Sequence, residues 1–259
     1  MKVLWLFAHP EPRSLSGALL RCGLRALDRH GYEHRVSDLY AMGWKAAVDA
    51  ADFQHDSGRR LVVGACSREA YESGALGEDI RAEQDKLRWA DAVVVQFPLW
   101  WYGMPAILKG WFDRVFVRGF AFGVTDSEGR ARRYGDGLLA GKRAMVVVTA
   151  GAREASLGPR GINGELNALL FPLQHGTLWY SGISVVPPLL VPGADRASAS
   201  TYRESAHRLR DRLRQLPRTE PLRFRSQNGG DYDENLVLRS DLAEDRSGLR
   251  VHHAQDFAR

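Results

Sequence analysis

The chain has 259 residues, 44% of them hydrophobic and 26% charged, proportions that are typical of a globular protein with a buried core. These values exclude an intrinsically disordered chain, and the apolar runs are far shorter than the ~18 residues that a membrane span needs. The net charge is +5, but basic and acidic residues are interleaved, so the sequence predicts neither nucleic-acid binding nor membrane insertion.

The cysteines are too few for a disulfide framework. Cys22 and Cys66 are the only two and form no C-x-x-C pair, so we predict neither an oxidised scaffold nor a metal site. The apolar run at the N-terminus is too short for a signal peptide. These features favour a cytoplasmic location.

Strands and helices are predicted to alternate along the chain, beginning with a strand. Residues 2–8 form a near-continuous apolar run that is typical of a buried strand. Ser14 or Ser16 can cap the following helix, which Gly31 ends. A short second strand is predicted over 34–38.

The next part of the chain has a less regular pattern. Residues 41–77 lack sustained periodicity and are predicted to be a long excursion on the ligand-bearing face. Helical spacing resumes after Gly77 and leads to an apolar strand over 91–96. The loop 97–103 follows, and Pro105 suits the first turn of the next helix. The later elements continue the alternation, with a strand over 143–149, a helix over 164–180, a strand over 183–191 and a helix over 196–216.

This alternation predicts the fold. Parallel neighbours need crossover connections, and right-handed crossovers place helices on both faces of the sheet. We therefore predict an α/β fold, flavodoxin-like and doubly wound, with five parallel strands in the order 2-1-3-4-5. Residues 1–216 would form this domain. Residues 217–259 lack a core-forming pattern and are predicted to be a C-terminal extension that lies on the domain or on a partner subunit.

Three loops are predicted to meet at the ligand-binding edge, because ligands of open parallel sheets bind beyond the carboxyl ends of the strands. The first loop has no G-x-G-x-x-G and no Walker lysine, which disfavours a classical dinucleotide site. Ser14 and Ser16 stand at a helix N-terminus, where they could hold a phosphate or simply cap the helix. His9 could donate to a phosphate or be an ordinary turn histidine.

The second and third loops indicate a planar ligand. Trp100, Trp101 and Tyr102 place three large rings where a buried strand ends. Such rings pack in a core or an interface, or they flank a flat cofactor. The third loop has small residues, Thr149 to Gly151, that allow the main chain to approach a ligand closely. Together the loops predict an aromatic, phosphorylated cofactor.

At these residues the sequence resembles a known family. Residues 96–116, QFPLWWYGMPAILKGWFDRVF, closely resemble the signature of the DT-diaphorase family, the NAD(P)H:quinone oxidoreductases with a flavodoxin-like fold. Residues 161–176, GINGELNALLFPLQHG, resemble a second block of that family. The similarity extends from Met1 to about Leu216.

The resemblance implies a homodimer with FAD, or FMN as the alternative, lying across the three loops and NAD(P)H as the electron donor. It implies that the phosphate and adenylate parts contact His9, Ser14, Leu15, Ser16 and Ala18. It implies that the isoalloxazine contacts Pro98, Leu99, Trp100, Trp101, Tyr102, Gly103, Thr149, Ala150 and Gly151.

The resemblance also implies which residues take part in catalysis. Trp101 and Tyr102 would form part of the slot in which the nicotinamide and the acceptor stack. Asn163 stands where the family's quinone reductases have a relay histidine, and Ala155 stands roughly where they have a tyrosine. Because hydride transfer is the flavin's own chemistry, this departure predicts a change in the acceptor half-reaction rather than loss of flavin reduction.

The resulting prediction is a ping-pong oxidoreductase that passes hydride from NAD(P)H through the flavin to a quinone or another flat, electron-poor acceptor. A reductase of azo or nitro aromatics is one alternative, because the same slot accepts many flat molecules. An ancillary flavoprotein subunit of a bacterial potassium-efflux system is the other. Rapid turnover of simple quinones by the isolated protein would favour the enzyme.

Overall fold

Five parallel strands form one sheet in the computed structural model, which describes residues 1–254. Their order is β2-β1-β3-β4-β5, and every neighbouring pair is parallel, so the predicted topology is confirmed. The reversal of strand order lies between β1 and β3, which places the ligand-binding edge beside these two strands. The strands are β1 Lys2–Phe7, β2 Glu33–Asp38, β3 Ala92–Pro98, β4 Arg143–Thr149 and β5 Ser184–Val191.

Helices cover both faces of the sheet because alternate side chains of each strand point to opposite sides. Val3 and Trp5 of β1 pack in one cluster with the helices over 15–29 and 199–215, whereas Leu4 and Leu6 pack in the other with the helices over 78–89, 106–115 and 166–173. The central strands over 92–98 and 143–149 are almost entirely buried between these two layers, whereas Glu33 and Arg35 of the edge strand over 33–38 stay exposed. The helices are α1 Leu15–Arg29, α2 Val63–Ser73, α3 Glu78–Trp89, α4 Ala106–Val115, α5 Leu166–Leu173 and α6 Ala199–Gln215.

Two segments differ from the sequence expectation. The excursion over 41–77 contains helix α2, which has few buried residues and therefore gives no clear apolar periodicity. The helix predicted over 164–180 is α5 followed by a π-helical segment over Gln174–Trp179. Pro172 stands inside α5 and has no amide hydrogen, so the regular hydrogen-bond ladder is interrupted beside it.

The predicted C-terminal extension packs on the domain of its own chain. Leu222 and Phe224 are buried in the core cluster that contains α4 and α5, so two side chains of an irregular segment anchor it to the domain. The indole of Trp179 donates to the carbonyl of Arg225 at 3.3 Å. Contact of the extension with a partner subunit stays a prediction, and residues 255–259 of it lie outside the described residues.

Histidines are buried where the extension meets the domain. His175 is 8% exposed and lies between the rings of Tyr134 and Phe171, with centroid distances of 4.8 and 4.5 Å. The ring of His253, from the extension, lies 4.5 Å from that of Phe224. Burial, reinforced by neighbouring histidines, lowers the pKa of both His175 and His253 to about 4. Both rings are therefore neutral at pH 7.

This cluster predicts that acid destabilises the fold. A histidine has a pKa of about 6.5 in the unfolded chain, so the unfolded state takes up protons first as the pH falls from 6.5 towards 4. For His175 alone, the loss of folding free energy is about 2 kcal/mol at pH 5. Urea unfolding at pH 7 and pH 5 measures this difference in the free energy of unfolding. In His175→Phe the stability should depend less on pH, whereas His207→Gln, which changes an exposed histidine of α6, should behave as the wild type.

Candidate functional site

The three loops that follow β1, β3 and β4 are held together by specific contacts. The hydroxyls of Ser16 and Thr149 lie 2.9 Å apart, which joins the first loop to the third. The amide of Leu99 donates to the carbonyl of Thr149 at 2.8 Å, which joins the second to the third. The rings of His9 and Trp100 lie 6.3 Å apart. The predicted site residues of all three loops are thus brought to one edge of the sheet.

A buried polar chain fixes the start of α1 against the sheet. The indole N–H of Trp5 donates to Oε1 of Gln96 at 2.9 Å, and Nε2 of Gln96 donates to the carbonyl of Ser16 at 2.8 Å. Ser16 and Thr149 are both 2% exposed, and their hydroxyls bond to each other. These two side chains therefore hold the start of α1 against the end of β4.

The N-terminus of α1 has the geometry of an anion site. The hydroxyl of Ser14 caps the helix by accepting from the amide of Gly17 at 3.1 Å. The amide of Ala18 makes the first intrahelical bond, to the carbonyl of Ser14 at 2.9 Å. The amides of Leu15 and Ser16 precede that bond and point out of the helix end, where they suit a phosphate.

Arg13 is bound to a neighbouring carboxylate rather than directed at the helix end. Its guanidinium donates twice to Glu11, at 3.0 and 3.2 Å, and these bonds lower the pKa of Glu11 to about 2. This ion pair could not be predicted from the sequence. A carboxylate two residues before an arginine in a turn is only weak evidence for an ion pair, since each of these residues commonly faces solvent without a partner.

His9 is held as a neutral hydrogen-bond donor. Its Nδ1 lies 3.1 Å from the amide of Glu11, which donates to it, and burial lowers the pKa of the imidazole. The hydroxyl of Ser14, 3.2 Å from Nδ1, gives its hydrogen to the carbonyl of Glu11 at 2.6 Å. With Nδ1 acting as an acceptor, the hydrogen of the neutral ring is on Nε2. That nitrogen can donate to a phosphate oxygen.

The aromatic loop after β3 is a tight turn that holds its rings in solvent. The amides of Trp100 and Gly103 each donate to the other residue's carbonyl, at 3.1 and 3.0 Å. Trp101 and Tyr102 occupy the left-handed region, with φ of 48° and 61°, which costs roughly 1–2 kcal/mol for each residue. Trp101 is 97% exposed. Core packing, the alternative left open for these rings, does not occur within this chain.

Two of the three residues predicted to be catalytic are in contact. The hydroxyl of Tyr102 donates to Oδ1 of Asn163 at 3.2 Å, and Nδ2 of Asn163 donates to Oγ of Ser156 at 3.0 Å. The third, Trp101, is on the same turn but bonds to neither. The sequence analysis missed Ser156, because a single serine in a long loop carries no recognisable pattern.

Gly151 has a packing role that differs from the one expected. A Cβ atom built on it would lie 2.1 Å from Oδ2 of Asp195, in the segment after β5. A side chain at this position would displace the exposed carboxylate of Asp195, so the glycine lets Asp195 lie close to the third loop. Gly103, in contrast, has open space around the corresponding position.

Two further observations limit the kind of site. Across residues 1–254, no group of three or more histidine, cysteine, aspartate or glutamate side chains is placed to hold a metal ion. The helices in the same part of the chain are each too short or too polar to cross a bilayer.

The paired hydroxyls predict a measurable coupling. Ser16→Ala leaves the buried hydroxyl of Thr149 without its partner, which should cost about 1–3 kcal/mol of folding free energy. Thr149→Val should cost a similar amount. The double variant should lose less than the sum, by about 1 kcal/mol, because the second change removes the unpaired group. Denaturant unfolding of the four proteins tests this, and strict additivity would contradict the pairing.

The open parallel sheet and the loops that meet at its switch point are features of the flavodoxin-like class of α/β proteins. The sequence model of a family described as having the flavodoxin-like fold matches residues 1–215. A ribosyldihydronicotinamide dehydrogenase-like protein of Penicillium crustosum is 46% identical over 257 residues, which cover 97% of this chain and 95% of the relative. NAD(P)H dehydrogenase (quinone) 1 of Cavia porcellus is 33% identical over 260 residues, with 97% and 92% covered.

A solved structure is similar along the whole chain. It is a crystal structure of a Klebsiella pneumoniae protein for which a quinone reductase function is suggested. The two chains are 49% identical, with a TM-score of 0.94, and the match covers 98% of this chain and 100% of the other. The chain belongs to the flavodoxin-like family, together with these dehydrogenases, and the predicted family is confirmed.

Proposed function

We propose that this protein is a flavin-dependent NAD(P)H:quinone oxidoreductase with a ping-pong reaction. The observation that carries the proposal is the exposed aromatic turn at the end of β3, which contacts the loops after β1 and β4. Its relatives support it, because one is named as an NAD(P)H dehydrogenase of quinones and another as ribosyldihydronicotinamide dehydrogenase-like. The acceptor is a small, flat quinone or a similarly electron-poor aromatic.

The residues present fit a flavin. The donor set at the start of α1, formed by Nε2 of His9 and the amides of Leu15 and Ser16, suits the phosphates of FAD or the single phosphate of FMN. The exposed ring of Trp101 and the half-exposed ring of Tyr102 provide apolar surface for a ring system. The remaining predicted contacts are proposed to be made by the main chain or by packing, at Ser14, Ala18, Pro98, Leu99, Trp100, Gly103, Thr149, Ala150 and Gly151.

A bound flavin supplies the chemistry of accepting and releasing hydride. The protein positions the two substrates in turn, and Trp101 and Tyr102 form the wall against which they stack. Asn163 cannot take up or release a proton, so it holds Tyr102 by a hydrogen bond instead of acting as a relay. The proton that the acceptor needs is therefore proposed to come from solvent at the open mouth of the slot.

The proposal predicts a yellow protein that oxidises NAD(P)H with a simple quinone. With 2-methyl-1,4-naphthoquinone as acceptor, initial rates at several fixed donor concentrations should give parallel double-reciprocal lines. Mass analysis of the released cofactor distinguishes FAD from FMN. In Trp101→Ala we expect kcat/KM for the quinone to fall about tenfold, as deletion of a large stacking ring removes about 1–2 kcal/mol. Trp89→Ala, which removes an indole at the end of α3, should leave it unchanged.

Other outcomes would separate the alternatives. A protein that stays colourless after incubation with FAD and FMN would contradict the proposal. Flavin binding with feeble turnover and co-purification of a transporter would favour the ancillary-subunit alternative. A higher kcat/KM for azo or nitro aromatics than for any quinone would favour the aromatic reductase.

We also propose that the protein is a cytoplasmic homodimer. Its two cysteines are free thiols, which fits a reducing compartment. Ile162 is 96% exposed and Trp101 is 97% exposed. The hydrogen bond between their neighbours Asn163 and Tyr102 brings this exposed pair, the apolar rim, to the same edge of the site. Apolar residues exposed together mark interfaces. Leu236, Val237 and Leu249 of the extension are also exposed, and we propose that they pack on the partner.

The dimer can be tested by sedimentation. Wild-type protein should sediment as a dimer at micromolar concentration. Ile162→Asp places a charge in the apolar rim and should weaken association at least tenfold, because burying an unpaired carboxylate is costly. His207→Asp, a change of charge on the exposed face of α6, should not. A monomeric wild-type protein would refute the proposed assembly.

A further inference from the structure

Three linked hydrogen bonds extend from the mouth of the slot into the loop after β4. The hydroxyl of Tyr102 donates to Asn163, the amide of Asn163 donates to Ser156, and the hydroxyl of Ser156 donates to the carbonyl of Arg153. The donor–acceptor distances are 3.2, 3.0 and 2.7 Å. The chain of bonds therefore begins at a residue proposed to touch substrate and ends on the main chain.

The direction of these bonds follows from the number of hydrogens available. A serine hydroxyl has one hydrogen, and that of Ser156 is used on a main-chain carbonyl, which can only accept. Ser156 must therefore accept from Asn163, so the amide nitrogen of Asn163 faces Ser156 and its oxygen faces Tyr102. The single hydroxyl hydrogen of Tyr102 is then directed at that oxygen. Towards the slot, Tyr102 has only lone pairs to offer.

The loop that sets this direction is closely packed. The amide of Asn163 donates to the carbonyl of Ser156 at 3.0 Å, a second bond between the same two residues. A Cβ atom on Gly161 would lie 2.2 Å from that carbonyl oxygen, so the loop closes over Ser156 only because residue 161 is a glycine. Ser156 and Asn163 are therefore held in one arrangement by the main chain.

We propose that Ser156 and Asn163 are positioning residues that make Tyr102 a hydrogen-bond acceptor, so that the slot selects flat acceptors carrying a hydroxyl or amino hydrogen on the ring. Such a hydrogen satisfies the oxygen of Tyr102 when the substrate covers it. A ring that carries only carbonyl or ether oxygens leaves that oxygen without water and without a donor. Hydroxylated quinones are thus preferred over the corresponding unsubstituted or methylated ones.

The inference rests on the proposed function, because it takes Tyr102 to line the acceptor slot. The preference for a hydroxylated over an unhydroxylated ring should equal the contribution of one hydrogen bond. That contribution corresponds to about 3- to 10-fold in affinity. Such a difference is large enough to measure. It is small enough that the turnover of simple quinones is retained.

Equilibrium dialysis with a redox-inactive pair tests the preference apart from catalysis. The pair is 2-naphthol and its methyl ether, 2-methoxynaphthalene, applied to the flavin-loaded protein. Wild type should bind the naphthol about 3- to 10-fold more tightly than the ether. In Tyr102→Phe the two should bind equally. In Ser156→Ala the amide of Asn163 can turn and the hydroxyl of Tyr102 is freed, so the preference should disappear, and Ser156→Thr should restore it.

Steady-state kinetics supply a second measurement, which would not change if Ser156 had a purely structural role. In Ser156→Ala we expect the KM for a hydroxylated quinone to rise while kcat and the rate of flavin reduction by NAD(P)H stay unchanged. Equal binding of the two naphthalenes by wild type, or an undiminished preference in Ser156→Ala, would overturn the inference. Failure of NAD(P)H to reduce the flavin would instead overturn the proposed function, and the dialysis result distinguishes the two.

Discussion

The site depends on one buried hydrogen-bonded chain, from Trp5 through Gln96 and Ser16 to Thr149. Trp5, Gln96 and Thr149 belong to β1, β3 and β4, and Ser16 belongs to the first turn of α1. The chain therefore fixes the spacing of three loops that are far apart in sequence. Inside the protein such bonds are strong and an unpaired member is costly. The exposed aromatic turn is joined to this base by the amide of Leu99, which donates to the carbonyl of Thr149.

Much of the fold could be predicted from the sequence because the strands of a buried parallel sheet appear as continuous apolar runs. The strand over 143–149 has its predicted bounds, and the order of strands follows from the alternation alone. Helix α2 could not be predicted, since it buries only Ser67 and Ala70 and leaves no apolar stripe. The burial of Leu222 and Phe224 left no core-forming pattern in the sequence for a related reason, because two buried residues in an irregular segment form no period.

The candidate site was predictable in position but not in detail. The predicted ends of the strands placed His9, Trp101 and Thr149 at one edge of the sheet. Which groups their side chains contact depends on three-dimensional distances, and the spacing of residues in the sequence does not determine these. The hydroxyls of Ser16 and Thr149 illustrate this, since both residue types suit a ligand and the structure pairs them with each other. The link from Tyr102 to Asn163 joins residues 61 positions apart, and only tertiary structure brings them together.

The ion pair between Arg13 and Glu11 has a consequence for how a phosphate would be held. Because the guanidinium is already neutralised by its neighbour, the attraction at the start of α1 comes from main-chain dipoles and an uncharged imidazole. Dipoles at contact distance are screened by dissolved ions far less than separated net charges are. A ligand bound in this way should stay in place over a wide range of ionic strength.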